Sequence, residues 1–307
     1  MTTTPSSSTP EHYNTLISVE QLTRLKAGGR PLMVFDCSFD LSRPPAGHEQ
    51  YLQAHIPDAV FADLDKNLSA PHGAPGAHGE VATSGQAASG GRHPLPTRER
   101  FSVWLSAIGF TNDMQAVVYD RNGANYCGRL WWMLRWAGHD AVAVLDGGLQ
   151  AWQAAQQPLG HGEEPARFQS NFELGRPLES LKTAAQVEAE LGQSGQTLID
   201  ARAPARYRGE VEPLDPVAGH IPGALNRPFG SNLGADGRFK PAALLKAEFE
   251  ELLAGRDPGS VVHQCGSGVS ALPNLLAMRI AGFAPTALFA GSWSEWCSKP
   301  DRPVERG

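Results

Sequence analysis

The sequence predicts an α/β protein of two tandem domains, each with a mostly parallel sheet and helices on both faces. Short apolar strands alternate with helix-length segments along the chain, which is the pattern of parallel sheets with crossover helices. The chain also repeats itself. Asp36 and Asp200 end equivalent apolar strands, and the turn His55-Ile56-Pro57 recurs as His220-Ile221-Pro222.

The first half of the chain follows this pattern closely. We predict strands at residues 31–36, 115–120 and 141–145, and helices at residues 17–27, 98–108 and 128–137. Ser18 is a typical helix N-cap, since its hydroxyl can accept a hydrogen bond from the first helical turn. Residues 66–93 are rich in Gly, Ala, Ser and His without periodicity, so we expect a long functional loop there.

The second half begins the same series again. We predict strands at residues 197–200, 260–263 and 286–289, and helices at residues 184–191, within 239–254, and at 271–280. Residues 158–177 carry proline, glycine and charges without periodicity, which is typical of a linker. We therefore divide the chain into a flexible tail (1–12), a first domain (13–157), a linker (158–177) and a second domain (178–307).

The composition argues against several classes of function. The chain has 307 residues, of which 41% are hydrophobic, and a formal net charge of -6. It has no basic run typical of nucleic-acid binding and no run of about 18 apolar residues that could span a membrane, so we expect neither partner. Residues 1–10 resemble neither a secretory signal nor a transit peptide. The four cysteines are sparse and lack C-x-x-C spacing, so we expect a reducing cytoplasm and no zinc site.

The strongest candidate for chemistry is Cys265, which lies between an apolar strand and a glycine-containing loop, 266–270, that leads into a helix. Such a loop directs backbone N–H groups at one point, where the helix N-terminus adds partial positive charge. An anion there is stabilised, including the thiolate of Cys265 itself. The alternative is a small buried hydrophobic residue beside glycines that only form a turn. The strand, loop and helix together favour a nucleophile.

The two halves differ at this position. Aligning the equivalent strands puts Arg121 where Cys265 stands, so the first half lacks the nucleophile. Cys127 lies farther along, at the start of a helix, and we expect it to be structural. We expect the same of His55 and His220, because a residue present in both halves is better explained by the fold than by chemistry.

Several motifs together resemble the tandem rhodanese-type sulfurtransferases. They are the two His-Ile-Pro-x-Ala boxes, Arg206-Tyr207-x-Gly209, the cysteine loop at 265–270 and Gly-Ser-Trp-Ser-Glu-Trp at 291–296. The resemblance extends from about residue 13 to residue 296. It implies two rhodanese-like domains, of which the first is catalytically silent and contributes residues to the cleft. The second carries the cysteine, which becomes a persulfide.

Within this family, Cys-Gly-Ser-Gly-Val-Ser resembles the branch that uses 3-mercaptopyruvate. The thiosulfate branch usually has Arg and Lys after the cysteine, where this chain has Gly266 and Ser267. Thiosulfate is a dianion that basic side chains help to hold, whereas an α-keto carboxylate needs a guanidinium away from the sulfur. The resemblance assigns that guanidinium to Arg206, whose alternative role is a surface ion pair. A second family arginine, expected after Glu212-Pro213, is replaced by Leu214.

The resemblance also implies a proton relay of Ser267, His93 and Asp65. Hydroxyl and imidazole would move a proton while sulfur leaves the substrate and an enolate becomes pyruvate. His72 and His78 compete with His93 for this role, and Asp63 competes with Asp65. Substrate contacts would come from Arg206 and from the loop residues Gly266, Gly268, Val269 and Ser270.

Three other functions were compared with this one. A cysteine phosphatase needs an arginine at the position of Ala271, so that function is excluded. A thiosulfate:cyanide sulfurtransferase shares the persulfide and differs in the sulfur donor. A non-catalytic scaffold is disfavoured because Cys265 is present. We therefore expect a small sulfur donor, mercaptopyruvate or thiosulfate, and a thiol such as thioredoxin, or cyanide, as acceptor. We expect no metal and no organic cofactor, because the protein itself carries the sulfur.

Overall fold

The computed structural model describes residues 12–71 and 87–307. His72 and His78, the alternatives to His93, lie outside the described residues. Within the described part, the chain forms two five-stranded sheets whose neighbouring strands are all parallel. The predicted α/β class with two tandem parallel-sheet domains is confirmed.

The first sheet has the strand order β1-β5-β4-β2-β3. Its strands are β1 (Leu16–Ile17), β2 (Leu32–Asp36), β3 (Val60–Phe61), β4 (Gln115–Tyr119) and β5 (Val142–Leu145). The helices of this half are α1 (Val19–Ala27), α2 (Pro45–Gln53), α3 (Arg98–Ala107), α4 (Cys127–Trp136) and α5 (Gly148–Ala154).

The second sheet repeats this order as β6-β10-β9-β7-β8. Its strands are β6 (Ser180–Leu181), β7 (Thr197–Asp200), β8 (Leu225–Asn226), β9 (Val261–Gln264) and β10 (Ala287–Leu288). The helices are α6 (Ala184–Ala189), α7 (Pro204–Tyr207), α8 (Ala242–Leu253), α9 (Leu272–Ile280) and α10 (Ser292–Trp296). Short 3₁₀ turns lie at Phe229–Asn232 and Pro258–Ser260.

The sheet register corrects one detail of the repeat. Asp36 pairs with Tyr119, whereas Asp200 pairs with Gln264. Because these two aspartates are equivalent, Asp120 and not Arg121 occupies the position of Cys265. The sequence alignment was wrong by one residue, since short apolar strands match equally well after a one-residue shift.

Apolar side chains cover both faces of the first sheet. Along β2, Met33 and Phe35 belong to one buried cluster and Val34 belongs to another. The first of these clusters continues across α4 and α9 into the second domain and includes Cys265. The helices approach closely at Gly128, where an added methyl group would lie 3.3 Å from the Leu272 Cβ atom. Cys265 therefore lies at the interface of the two domains.

Some local predictions differ from the structure. The first helix begins at Val19 rather than at residue 17, because Ser18 accepts a bond from Gln21 N–H and forms a capping box with it. Helices α2, α5, α7 and α10 were not predicted. Helix α7 has four residues, too few to show a helical period.

Residues 158–177, all of which the structure describes, form no helix and no strand. They nevertheless pack along the first domain, since Gly160 pairs with His55 and Phe172 is buried. His55 stacks on Tyr51 with ring centroids 4.1 Å apart, and His220 stacks on Tyr207 at 3.8 Å. The described part of the chain contains no helix long and apolar enough to cross a membrane.

Candidate active site

The first turn of α10 holds Cys265 in place. Cys265 follows β9 and is 1% exposed, and its N–H donates to Ser292 Oγ at 3.0 Å. In return, Trp293 N–H donates to the Cys265 carbonyl at 3.0 Å, and Ser294 N–H donates to the Gly266 carbonyl at 2.9 Å. The Gly-Ser-Trp-Ser-Glu-Trp motif therefore fixes the backbone at Cys265 and Gly266.

The loop after Cys265 leaves a row of donors unused. Gly268 has φ +75°, and a methyl group there would lie 2.1 Å from the Ala290 carbonyl oxygen, so only glycine fits. Val269 packs in the apolar cluster that includes Cys265, and Ser270 is half-buried. Among the described residues, the structure gives no hydrogen-bond acceptor for the N–H groups of residues 266–270. These donors are available to an anion.

The first domain has an equivalent loop, and this loop binds a carboxylate of its own chain. The buried carboxylate of Asp120, at the position of Cys265, accepts four backbone N–H groups. Oδ1 accepts Asn122 N at 2.8 Å and Ala124 N at 3.1 Å, and Oδ2 accepts Tyr126 N at 2.8 Å and Cys127 N at 2.9 Å. Arg121 turns away and forms an ion pair with Asp36 at 3.0 Å. The loop of the first domain is therefore filled by its own side chain.

The structure brings the three predicted relay residues together. His93 Nδ1 lies 2.7 Å from Ser267 Oγ, and His93 Nε2 lies 3.5 Å from Asp65 Oδ1. Ser267 and His93 are buried, whereas the Asp65 side chain is 45% exposed. Asp63, the alternative to Asp65, accepts the Asp65 N–H at 2.9 Å and pairs with Lys66 at 3.3 Å. Asp65 is thus the carboxylate that faces His93.

Arg206 lies beside the cysteine loop and also forms ion pairs. Its guanidinium bonds to Glu212 at 2.7 Å and reaches Asp215 at 3.4 Å. Burial alone would raise the pKa of Glu212, but the hydrogen bond from Arg206 brings that pKa below its usual value. Leu214 is uncharged, and it is 44% exposed.

Two arginines of the first domain were missed in the sequence. Arg92 lies next to Arg206 at Gly266, where an added methyl group would meet Arg92 Nη2 at 3.3 Å and Arg206 Nη1 at 3.4 Å. A basic residue directly before His93 was the available signal. Arg129 is the second, and its signal was a charged side chain within an otherwise apolar helix.

Arg129 joins three segments of the site by hydrogen bonds from one buried guanidinium. It donates to the carbonyl oxygens of Gly268 at 3.0 Å, His93 at 2.9 Å and Leu68 at 3.3 Å. Burial lowers the pKa of Arg129 to about 9, and the charge of Cys265 acts in the opposite direction. No carboxylate in the described part of the chain lies within ion-pair distance of Arg129. Its positive charge therefore faces the cysteine loop without a local counterion.

A cavity of about 340 Å³ is lined by Asp65, Ser69, Arg92 and His93 together with apolar side chains. A larger cavity of about 570 Å³ lies elsewhere on the first domain, between Tyr51 and Arg167, and none of the site residues lines it. The smaller cavity is the better candidate for the substrate path because Asp65 and His93 of the predicted relay line it, although Cys265 and Arg206 do not. The described residues include no cluster of three or more His, Cys, Asp or Glu side chains that could hold a metal ion.

Comparison with known proteins identifies the family of the chain. The rhodanese-like domain family model matches residues 18–155 and 183–299. The chain is 46% identical to a probable 3-mercaptopyruvate sulfurtransferase of Pseudomonas aeruginosa, over 95% of this chain and 98% of that protein. It is 32% identical to the thiosulfate sulfurtransferase of Bos taurus, over 96% of each chain. The solved 3-mercaptopyruvate sulfurtransferase of Leishmania major superposes with a TM-score of 0.75 at 28% identity, covering 94% of this chain and 76% of that one.

The chain belongs to the rhodanese family and contains two tandem copies of its domain.

Proposed function

We propose that this protein is a sulfurtransferase that takes sulfur from 3-mercaptopyruvate onto Cys265 and passes it to a thiol or to cyanide. The observation that carries the donor assignment is the 2.7 Å hydrogen bond between His93 and Ser267, two residues beyond Cys265. A donor that leaves as an enolate needs a proton on carbon. Thiosulfate leaves as sulfite and needs none, so a relay beside the cysteine favours the keto acid.

In the first half-reaction, the Cys265 thiolate attacks the sulfur of mercaptopyruvate. The new S–S bond forms as the C–S bond breaks, and the electron pair of the C–S bond goes to the enolate of pyruvate. The proton of the donor thiol passes through Ser267 and His93 to the enolate carbon. Pyruvate leaves, and Cys265 carries the extra sulfur as a persulfide. No electron is gained or lost from outside.

The loop N–H groups stabilise that persulfide. Its outer sulfur lies two bonds from Cβ, as does each carboxylate oxygen of Asp120 in the first domain. Asp120 accepts four N–H groups of its loop, and by the sheet register two of these donors, Asn122 and Ala124, correspond to Ser267 and Val269 beyond Cys265. An acceptor thiolate or cyanide then attacks the outer sulfur and releases the Cys265 thiolate. The four free cysteines support a reducing compartment, for which we propose the cytoplasm.

Thiosulfate is the second candidate donor. Arg92 and Arg206 both approach Gly266, so the site has cationic groups that the loop sequence alone lacks. These charges would suit a dianion as well as a carboxylate. Glu212 and Asp215 lie against them, however, and offset the two positive charges. This balance favours a monoanionic group at that place over a dianion.

The test compares kcat/KM for 3-mercaptopyruvate and thiosulfate on the purified protein. We expect a higher value for 3-mercaptopyruvate, and a strong preference for thiosulfate would overturn the donor assignment. Cys265→Ser should abolish transfer from both donors and the mass gain of one sulfur atom. Cys297→Ser is the matched control, since burial raises the pKa of that thiol to about 11 and it lies in the same domain. Transfer by Cys265→Ser would refute the persulfide.

A further inference from the structure

Two guanidinium groups from different domains converge on the residue after the nucleophile. A methyl group on Gly266 would lie 3.3 Å from Arg92 Nη2 and 3.4 Å from Arg206 Nη1. Arg92 belongs to the segment before His93, and Arg206 belongs to α7 of the second domain. Their side chains are 20% and 19% exposed, so both are largely buried yet can be reached from solvent.

The two groups are already held at a separation that one carboxylate can span. Asp215 Oδ1 lies 2.5 Å from Arg92 Nη1, and Asp215 Oδ2 lies 3.4 Å from Arg206 Nη2. The two nitrogens nearest to a methyl group on Gly266 are different ones, Arg92 Nη2 and Arg206 Nη1, and Arg206 Nη2 lies slightly farther from it at 3.6 Å. Asp215 therefore positions both guanidinium groups through one nitrogen each and leaves another of each directed at the loop.

The segment around Arg92 is anchored by the same helix that anchors Cys265. Arg92 N–H donates to Ser294 Oγ at 3.0 Å, and Gly90 N–H donates to Glu295 at 3.2 Å. Ser294 N–H in turn donates to the Gly266 carbonyl at 2.9 Å. Helix α10 thus fixes the distance between the Arg92 backbone and the cysteine loop, so this arginine is built into the site.

We propose that Arg92 is a donor-binding residue that, with Arg206, holds the carboxylate of the sulfur donor. The inference rests on the proposed function and names a residue for its donor. Leu214, on the second domain, offers no charge, so the second cation for the carboxylate comes from the first domain instead. Two guanidinium groups on one carboxylate form charge-assisted hydrogen bonds and fix its orientation, which places the donor sulfur relative to Cys265.

The test uses two donors that differ only in the carboxylate, 3-mercaptopyruvate and mercaptoacetone, with wild-type protein and Arg92→Gln. Loss of one charge-assisted contact should lower kcat/KM for mercaptopyruvate about 10- to 100-fold. The value for mercaptoacetone should change less than about threefold, since that donor has no group for Arg92 to bind. Arg208→Gln is the matched control, because Arg208 is an exposed arginine paired with Glu210, and neither donor should respond to it.

The outcomes separate this inference from the proposed function. If wild-type protein transfers no sulfur from mercaptopyruvate, the proposed function fails. If it does transfer sulfur and Arg92→Gln slows both donors equally, Arg92 only positions His93 and the inference is overturned. Unchanged mercaptopyruvate kinetics in Arg92→Gln would overturn it as well. Circular dichroism spectra are recorded for each variant before the kinetic assays, so that only folded variants are compared with wild type.

Discussion

Replacing Arg129 by methionine tests how the first domain supports the chemistry of the second. The methionine side chain fills a similar elongated space but donates no hydrogen bond. The carbonyl oxygens of Gly268, His93 and Leu68 then lose their donor in a fully buried place. These three oxygens belong to the cysteine loop, the relay histidine and the segment next to Asp65.

The expected loss of stability follows from two opposing contributions. Hydrogen bonds from a charged donor contribute about 1.5–3 kcal/mol each, so three of them contribute roughly 4–9 kcal/mol. Removing a guanidinium that has no carboxylate partner among the described residues recovers several kcal/mol of desolvation cost. The longest of the bonds, to Leu68 at 3.3 Å, also contributes least. We therefore expect Arg129→Met to lower the free energy of unfolding by about 2–4 kcal/mol.

The second measurement is the enzyme kinetics of the variant under conditions in which it is fully folded. Ser267 precedes Gly268, and its 2.7 Å contact with His93 needs both backbones in place. A displacement of about 1 Å can cost roughly 100-fold in rate, so kcat/KM for mercaptopyruvate should fall by about 10- to 100-fold in Arg129→Met. Arg129→Lys retains the charge but cannot donate to three carbonyl oxygens at once. We expect its kcat/KM for mercaptopyruvate to lie between those of wild type and Arg129→Met.

Arg135→Met is the matched control on the same helix. Arg135 is also buried, but it pairs with Glu179 at 2.6 Å and contacts no residue of the cysteine loop. Its removal should destabilise the protein while leaving the kinetics of the folded enzyme close to wild type. The reasoning would be refuted if Arg129→Met kept wild-type stability and kinetics, or if both variants slowed the enzyme equally.

Two further predictions follow from the site and its counterpart in the first domain. His93→Gln should lower kcat for mercaptopyruvate by about 10²- to 10⁴-fold, while alkylation of Cys265 by iodoacetamide stays within a few-fold of wild type; unchanged kcat would remove His93 from the relay. Asp120→Asn turns an amide NH₂ toward two of the four backbone N–H groups, and denaturant unfolding should show a loss of about 2–4 kcal/mol; an unaltered transition would contradict the anion-filled loop.

The fold was predictable because patterns of neighbouring residues in the sequence indicate its strands, helices and repeat. Apolar strands such as β4 and β9 stand out from their polar flanks, and the two His-Ile-Pro turns show the repeat directly. Residues 265–270 were identified for the same reason, since strand, cysteine and glycine loop are contiguous. The one-residue error that placed Arg121 at the position of Cys265 shows that such patterns do not predict the strand register. Register is decided by pairing across the sheet, and sequence periodicity alone leaves it open.

The arginines of the site could not be found in this way. Arg92 and Arg129 lie against a loop that is far away in the sequence. The packing of α4 on α9 brings Arg129 there, and hydrogen bonds to α10 hold the segment of Arg92 there. Their residue types gave a hint, because a guanidinium in an apolar helix must find several acceptors. The residue type alone does not identify which carbonyl or carboxylate oxygens accept these hydrogen bonds. Tertiary contacts that cross two domains leave no local periodicity from which to predict them.

The first domain explains its own lack of a nucleophile and, with it, the design of the second. Asp120 places a permanent carboxylate on the loop N–H groups, so the loop is stable without a ligand and has no atom that can carry sulfur. Cys265 has no carboxylate, and the N–H groups of residues 266–270, which include the counterparts of Asn122 and Ala124, have no protein acceptor among the described residues. An unpaired buried N–H group is costly, so the catalytic loop gains most when a sulfur anion arrives. Under the proposed function, the same fold serves stability in one copy and anion binding in the other, through the side chain at one position.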